Sequence, residues 1–205
     1  NLAAIKDALQ EKGCIFPPGT ARPGFNLIVT VSALLFGLKD YSSFLPSAFF
    51  SALSVFICFL IAKKQWDLRT ALTAAFLAAV SAVSIMYART GYAQTSAGFF
   101  LLLGLYFYLD TFKAGAGVRE TLKAGLALGF AVTCHYGALF SVFMLLGAEA
   151  LFILFKLQER RVKTGLIFLV SLAAPILSWE SLYRGTELVL GNHLIGLNYR
   201  TYFEQ

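Results

Sequence analysis

Long stretches without a charged residue constrain the fold of this chain more than any other feature. Crossing the hydrocarbon core of a bilayer takes about 20 apolar residues in a helix. Charged residues make up 14% of the chain, against about 25% in soluble domains. This composition excludes an ordinary soluble domain and predicts membrane-spanning helices. The stretches free of Asp, Glu, Lys and Arg are Tyr41–Ala62, Thr70–Ala88, Thr90–Leu109, Ala124–Ala148 and Thr164–Trp179.

The fourth stretch continues as apolar sequence to Phe155, interrupted only by Glu149. It is too long for one span and short for two. Basic clusters lie in segments 63–69, 110–123 and 156–163, and positively charged loops prefer the cytoplasmic face. Placing all three clusters on that face requires two crossings between the second and the third. We therefore predict two short helices, 121–134 and 137–155, that meet near His135.

These patterns predict an all-α, polytopic transmembrane helix bundle with about six membrane helices, two of them short. Segment 25–38 is apolar but too short to cross, so we expect an interfacial or re-entrant helix there. The predicted organisation is an outer-face loop with an amphipathic helix (1–24), a transmembrane helical domain (25–182) and an outer-face tail (183–205). The protein is thus expected to be an integral, multi-pass membrane protein.

The net charge of +6 reflects 17 Lys and Arg against 11 Asp and Glu. Since the basic residues cluster between apolar runs, they are interpreted as topology signals, and no nucleic-acid partner is expected. The three cysteines lack the spacing of metal ligands, so no metal site is predicted from the residues. Gly125 and Gly129 are four residues apart, which favours close packing between helices.

Chemically versatile side chains collect at the predicted outer face. Arg89 lies between two spans and is flanked by Tyr87 and Tyr92. A guanidinium there can hold a phosphate through two parallel hydrogen bonds. The same arrangement also fits an interfacial anchor, because arginine and tyrosine favour the boundary between lipid and water. The residues considered as lining for a site at this face are Lys39, Tyr92, His135 and Tyr136.

The roles of two further residues, His135 and Glu149, follow less directly from the sequence. His135 is either part of the outer-face site or a satisfied polar residue at a helix break. Glu149 lies near the inner end of its predicted helix and is expected to face the membrane interface. With so few ionisable groups in the spans, an ion-coupled transporter is disfavoured.

Three segments carry a resemblance to a known family. They are Arg22–Leu27 with the following Leu35-Phe36-Gly37 and Leu45-Pro46-Ser47-Ala48, then Tyr87–Thr90 leading into Phe99–Tyr106, and finally Ala124–Tyr136. In this order and spacing, they resemble the membrane glycosyltransferases of the GT-C fold. The nearest branch is similar to the dolichyl-phosphate-mannose protein mannosyltransferases and the bacterial aminoarabinose transferases. The resemblance covers roughly residues 15–155.

The resemblance implies an enzyme that takes a sugar from a polyprenyl-phosphate carrier on the outer face and transfers it to an acceptor with inversion. Arg22 falls on a basic position of the family and is expected to bind the donor phosphate, as is Arg89. His135 falls where the family often has Lys or His. The implied location is a bacterial cytoplasmic membrane with the site facing outward. The implied partners are membrane lipid and the carrier, and other membrane subunits are expected if the chain is a subunit of a larger assembly.

The departures from the family pattern leave two functions open. The family's Asp-Glu motif, which supplies the catalytic base, has no counterpart in these residues, so no catalytic residue is assigned. Ala21 stands where some members carry an acidic metal ligand, which leaves a divalent metal as an open question. The chain is therefore expected to be part of a glycosyltransferase. The alternative is a non-catalytic, glycosyltransferase-like subunit or scaffold of a larger assembly.

Overall fold

The computed structural model describes residues 22–37, 39, 41–112, 117–155 and 162–190, with backbone only at 153, 180 and 182–190. Every regular element in this part of the chain is an α-helix, so the all-α prediction is confirmed. The predicted amphipathic helix lies outside the described residues, as does most of the predicted tail. The helices are α1 (Pro23–Phe36), α2 (Tyr41–Gln65), α3 (Leu68–Val80), α4 (Ala82–Ala88), α5 (Ala93–Asp110), α6 (Val118–Cys134), α7 (Ala138–Leu154) and α8 (Val162–Leu190).

Residues 22–176 form one compact unit. The end of α8, from residue 177, belongs to a second unit together with segments outside the description. Helix α8 continues to Leu190, beyond the boundary near residue 182 that the sequence predicted for the transmembrane domain.

Two contacts fix the direction in which α2 and α5 run. Lys64 Nζ lies 2.6 Å from Asp110 Oδ2, so the end of α2 meets the end of α5. Ser47 Oγ donates a 3.3 Å hydrogen bond to the Tyr92 carbonyl, so the start of α2 meets the residues just before α5. Helices α2 and α5 therefore run parallel, side by side, and α3 and α4 connect them along the chain.

Ring contacts place α6 antiparallel to α5. Phe100 and Phe130 have centroids 4.6 Å apart, and Lys123 Nζ lies 5.3 Å from the centroid of Phe107. We call the end that holds the start of α2, residues 89–96 and residues 133–138 the histidine end. The opposite end, which holds residues 63–69, 106–112 and 117–123, is the Lys64 end. The described basic residues of the first two predicted inner loops lie at the Lys64 end. That this end faces the cytoplasm stays a prediction.

The helix break at His135 is confirmed. Helix α6 ends at Cys134 and α7 begins at Ala138, within one residue of the predicted bounds. His135 has an extended backbone (φ −156°, ψ 124°). Its N–H donates to the Ala131 carbonyl (3.0 Å) and its carbonyl accepts from the Ala138 N–H (2.9 Å). The break therefore keeps these backbone groups hydrogen-bonded, as a turn near lipid requires.

The second predicted span is not a single straight helix. Helices α3 and α4 meet at Ser81 with a bend of 57°. Ser81 Oγ accepts a 3.4 Å hydrogen bond from the Ser84 N–H and so caps the start of α4. By length and composition, two described helices can cross a membrane, Tyr41–Gln65 and Val162–Trp179, or three if the bent pair counts as one span. The remaining predicted spans are helical but shorter or less apolar.

The prediction for Glu149 was wrong. Its side chain is 4% exposed and its Oε2 accepts a 2.8 Å hydrogen bond from the Tyr108 hydroxyl. Tyr108 lies near the end of α5, two residues before Asp110. A carboxylate so far from water needs polar partners, and α5 supplies one.

Small residues let α6 pack closely on its neighbours. A Cβ added at Gly125 would overlap the Ser171 side chain, and one added at Gly129 would overlap the Leu172 carbonyl oxygen. The core beside these contacts is built from α5, α6, α7 and α8. Its buried members are Tyr108, Ala124, Leu128, Ala131, Val132, Ala138, Val142, Phe168 and Leu172.

Replacing Gly129 is expected to destabilise the bundle. In Gly129→Ala the new methyl group meets backbone of α8, which cannot rotate away, so the helices must separate. Overpacking of this kind costs about 1–3 kcal/mol. A thermal melt of the purified protein should show a lower midpoint than the native sequence. Gly147→Ala is the matched control, since a Cβ at Gly147 has nothing within 4 Å; an equal drop there would refute the packing argument.

Candidate functional site

The start of α1 rests against the end of α6 at the histidine end. Pro23 occupies the first helical turn, where its missing N–H is harmless, and Arg22 precedes it as a half-buried residue. A Cβ at Gly24 would overlap Thr133 Oγ1 and lie 3.0 Å from both the Cys134 nitrogen and its Sγ. Only a glycine permits this approach, which brings Arg22 to the helix break.

His135 is held by its own turn. Its Nδ1 accepts a 2.9 Å hydrogen bond from the Gly137 N–H. A nitrogen that accepts carries no proton, so the neutral ring bears its proton on Nε2. The ring therefore offers one N–H donor to a ligand and is fixed in orientation by the turn.

Arg22 acts electrostatically on His135. The pKa of His135 is lowered below its ordinary value of 6.5, first by burial and second by the positive charge of Arg22. Two groups that repel in their charged forms are thus kept together across more than a hundred residues of chain. Both groups carry N–H donors of the kind that bind anions.

The described charged side chains at the histidine end, Arg22, Lys39 and Arg89, are all basic. Of the described residues in 22–176, the carboxylates are Asp67, Asp110, Glu120 and Glu149. Asp67, Asp110 and Glu120 lie at the Lys64 end. Glu149 contacts Tyr108, which also belongs to the Lys64 end. Within the described residues, no group of three His, Cys, Asp or Glu side chains is arranged to hold a metal ion. The starts of α1 and α7 add the positive ends of two helix dipoles.

The other predicted site residues lie elsewhere at the same end. Arg89 is exposed and ends α4, and the rings of Tyr87 and Tyr92 beside it are 6.3 Å apart. Lys39 is exposed, with its Nζ 5.6 Å from the ring centroid of Tyr41. The structure brings together Arg22 and His135, with Tyr136 next in the chain. It gives no contact that joins this pair to Arg89, Tyr92 or Lys39.

We expect the pKa of His135, measured by NMR titration, to show whether Arg22 acts on this ring. Comparing ¹⁵N NMR spectra of the native sequence and of His135→Gln identifies the imidazole signals of His135. Because the pKa is lowered, the ring should be mostly neutral at pH 6.5, with its proton on Nε2. Arg22→Ala should raise the midpoint of the His135 titration only part of the way to 6.5, because burial is the larger cause of the lowered pKa.

The sign of the pH effect on folding follows from the same shift. An unfolded histidine takes up its proton near pH 6.5, whereas folded His135 does so only at lower pH. The free energy of unfolding should therefore fall as the pH drops below about 6.5. A midpoint at or above 6.5 in the NMR titration, or a proton on Nδ1, would contradict this description of the site.

Sequence reasoning missed a cavity beside α5, whose mostly apolar wall includes several polar side chains. Its polar lining includes Ser51 and Ser54 on α2 and Gln94 and Thr95 on α5. On each helix these residues share a face, which is a visible signal, but isolated hydroxyl residues are common in membrane helices. The convergence of the two faces could not be predicted without the packing.

Comparisons with known proteins agree with the resemblance. The family profile described as "Dolichyl-phosphate-mannose-protein mannosyltransferase" matches residues 18–179. Two proteins of Bacillus subtilis (strain 168) are similar to the chain. "Putative mannosyltransferase YkcB" is 31% identical over 157 residues, which are 74% of this chain and 21% of that protein. "Putative mannosyltransferase YycA" is 30% identical over 155 residues, which are 74% of this chain and 22% of that protein.

The chain thus spans about a fifth of the length of these relatives. No solved structure matches it significantly. The matched residues include all of α1 to α7 and both members of the Arg22–His135 pair.

Proposed function

This chain belongs to the dolichyl-phosphate-mannose-protein mannosyltransferase family, and we propose that it is the part of a membrane glycosyltransferase that binds the phosphate of a lipid-linked sugar donor. The proposed donor is a polyprenyl-phosphate sugar, and the proposed site is the histidine end, facing the outer side of the membrane. The protein would then be a multi-pass protein of a bacterial cytoplasmic membrane.

The single observation that carries the proposal is the Arg22–His135 pair. Its two groups are half-buried and carry N–H donors. A phosphate fits this chemistry, because a guanidinium binds two of its oxygens and the Nε2–H of His135 can donate to a third. Arg89 is proposed as a second phosphate contact, and Lys39, Tyr92 and Tyr136 as lining.

The proposed reaction is an inverting transfer. The acceptor hydroxyl oxygen forms a bond to the anomeric carbon as the bond from that carbon to the carrier phosphate breaks. The hydroxyl proton goes to a base, and the phosphate leaves with the bonding electrons. Arg22 and His135 would stabilise the charge that grows on this phosphate, an effect that fixed donors supply without reorganisation. The base is not among the residues that we assign.

The proposal predicts that binding depends on the phosphate and on Arg22. The full-length protein in nanodiscs should retain undecaprenyl phosphate in native mass spectra and should retain the uncharged alcohol undecaprenol much less. Arg22→Ala should remove most of this preference, because a charge-assisted contact to the phosphate is lost.

Arg69→Ala is the matched control. Arg69 is exposed on α3 at the Lys64 end, so its loss should leave the preference for the phosphate unchanged. Equal retention of undecaprenyl phosphate by Arg22→Ala and the native sequence would refute the proposed site. Loss of retention in both variants would indicate a general charge effect and would refute it as well.

A further inference from the structure

Two neighbouring lysines at the end of α2 have different surroundings. The side chain of Lys64 is 10% exposed, and its Nζ lies 2.6 Å from Asp110 Oδ2 and donates a 2.8 Å hydrogen bond to the Tyr106 carbonyl. Its charge is therefore used inside the protein. Lys63 is exposed, with its Nζ 5.8 Å from the ring centroid of Phe59. It forms no ion pair with a described carboxylate, so its charge is available to a partner.

Lys63 continues an exposed apolar face of α2. Phe49 and Phe56 are 58% and 55% exposed, and Lys63 follows at the same spacing of seven residues. Seven residues make about two helical turns, so the three side chains share one face. A face of exposed phenylalanine rings suits the hydrocarbon chains of lipid, and Lys63 stands at its end.

The length of α2 places Lys63 at the level of lipid headgroups. The helix has 25 residues and is apolar enough to cross a membrane. At a rise of 1.5 Å per residue it is roughly 37 Å long, which exceeds the hydrocarbon core of about 30 Å. Trp66, which is 67% exposed, follows directly after the helix, and tryptophan is typical of this boundary. The Lys63 ammonium group is thus held where the phosphates of membrane lipids lie.

The described charges of the Lys64 end leave a positive surplus. The basic residues there are Lys63, Lys64, Arg69, Arg119 and Lys123, against the acidic residues Asp67, Asp110 and Glu120. Asp110 pairs with Lys64. Asp67 and Glu120 accept hydrogen bonds from backbone N–H groups at the starts of α3 and α6. Lys123, whose Nζ lies over the ring of Phe107, forms no ion pair with a described carboxylate either.

We propose that the Lys64 end binds the headgroup of an anionic phospholipid of the surrounding bilayer, with Lys63 as the main contact. The lysine stem stays on the apolar face while its ammonium group reaches the lipid phosphate, and the lipid chains pack along Phe49 and Phe56. Lys123 adds to the positive potential that attracts such a headgroup. This site lies at the opposite end of the bundle from the Arg22–His135 pair, so it goes beyond the proposed function and does not rest on it.

The first experiment uses Trp66 as a local reporter. The full-length protein is placed in phosphatidylcholine nanodiscs that contain either phosphatidylglycerol or phosphatidylcholine with brominated chains, which quench tryptophan fluorescence only at close range. The signal of Trp66 is the fluorescence that each protein loses on Trp66→Phe. We expect brominated phosphatidylglycerol to quench this signal at a lower mole fraction than brominated phosphatidylcholine does.

Matched variants assign the preference to Lys63. Lys63→Gln should reduce it about fivefold, which is the usual effect of one basic residue near an anionic surface. Lys63→Arg keeps the charge and should keep the preference. Lys39→Gln is the control, because Lys39 is also an exposed lysine beside a ring but lies at the histidine end. No preference in the native sequence, an unchanged preference in Lys63→Gln or an equal loss in Lys39→Gln would overturn the proposal.

The second experiment distinguishes a lipid headgroup from a free phosphate. Quenching of Trp66 by brominated phosphatidylglycerol is measured in sodium chloride and in sodium phosphate at the same ionic strength. Because a lipid is also held by its chains on the α2 face, the two salts should give the same preference. A loss of preference in phosphate alone would show that the lysine takes a free anion, and it would overturn the assignment to lipid.

Discussion

Replacing Arg22 with alanine should lower the rate of sugar transfer from the proposed polyprenyl-phosphate sugar by about 10²–10³-fold in the full-length protein. This is the usual loss when one fixed donor to a developing charge is removed. The reason is local, since the positive charge of Arg22 acts on His135 and would act in the same way on a phosphate bound beside both. The measurement is the initial rate at which membranes that carry the protein release polyprenyl phosphate from the donor.

Arg22→Lys separates charge from geometry. A lysine keeps the positive charge but cannot bind two phosphate oxygens in the same plane, so its rate should lie between those of the native sequence and Arg22→Ala. Arg69→Ala, at the Lys64 end, should transfer at the native rate. Full activity in Arg22→Ala would remove the residue from the donor site and with it the main support for the proposed function.

The second large effect is expected at Gly24, which touches no ligand in the proposed site. In Gly24→Val the added carbons would overlap Thr133 and crowd the Cys134 backbone, so the start of α1 must move away from α6. Arg22 would move with it. We expect a loss of donor retention comparable with that of Arg22→Ala, together with a rise of the His135 pKa toward its ordinary value.

A smaller substitution distinguishes displacement from misfolding. Gly24→Ala should weaken donor retention, and adding Thr133→Ala should restore part of it, because the nearest obstructing atom is Thr133 Oγ1. Gly147→Ala serves as the control for a glycine replacement in an uncrowded helix. If Gly24→Ala leaves both donor retention and the His135 titration unchanged, the contact between α1 and α6 does not position Arg22.

Features set by local sequence were predictable. The break at His135 followed from an apolar run of unsuitable length and from the charges on either side of it. The close approach at Gly125 and Gly129 followed from their spacing. In both cases the deciding residues are neighbours in the chain, so their effect does not depend on how distant segments pack.

Features set by tertiary packing were not predictable from local pattern. The position of Glu149 near the end of its helix predicted an interfacial side chain, but its burial depends on Tyr108 of another helix. The bend at Ser81 lies inside a run whose composition gives no reason to stop. Arg22 was assigned its role through the family resemblance and His135 was noted at the helix break, whereas their proximity depends on Gly24 fitting against α6.

The most direct test of the donor site is a structure of the full-length protein with a polyprenyl phosphate bound. We predict that the phosphate lies at the histidine end, with its oxygens within hydrogen-bond distance of the Arg22 guanidinium and of His135 Nε2. A phosphate bound elsewhere, for example at Arg89 without contact to Arg22 or His135, would contradict the central claim.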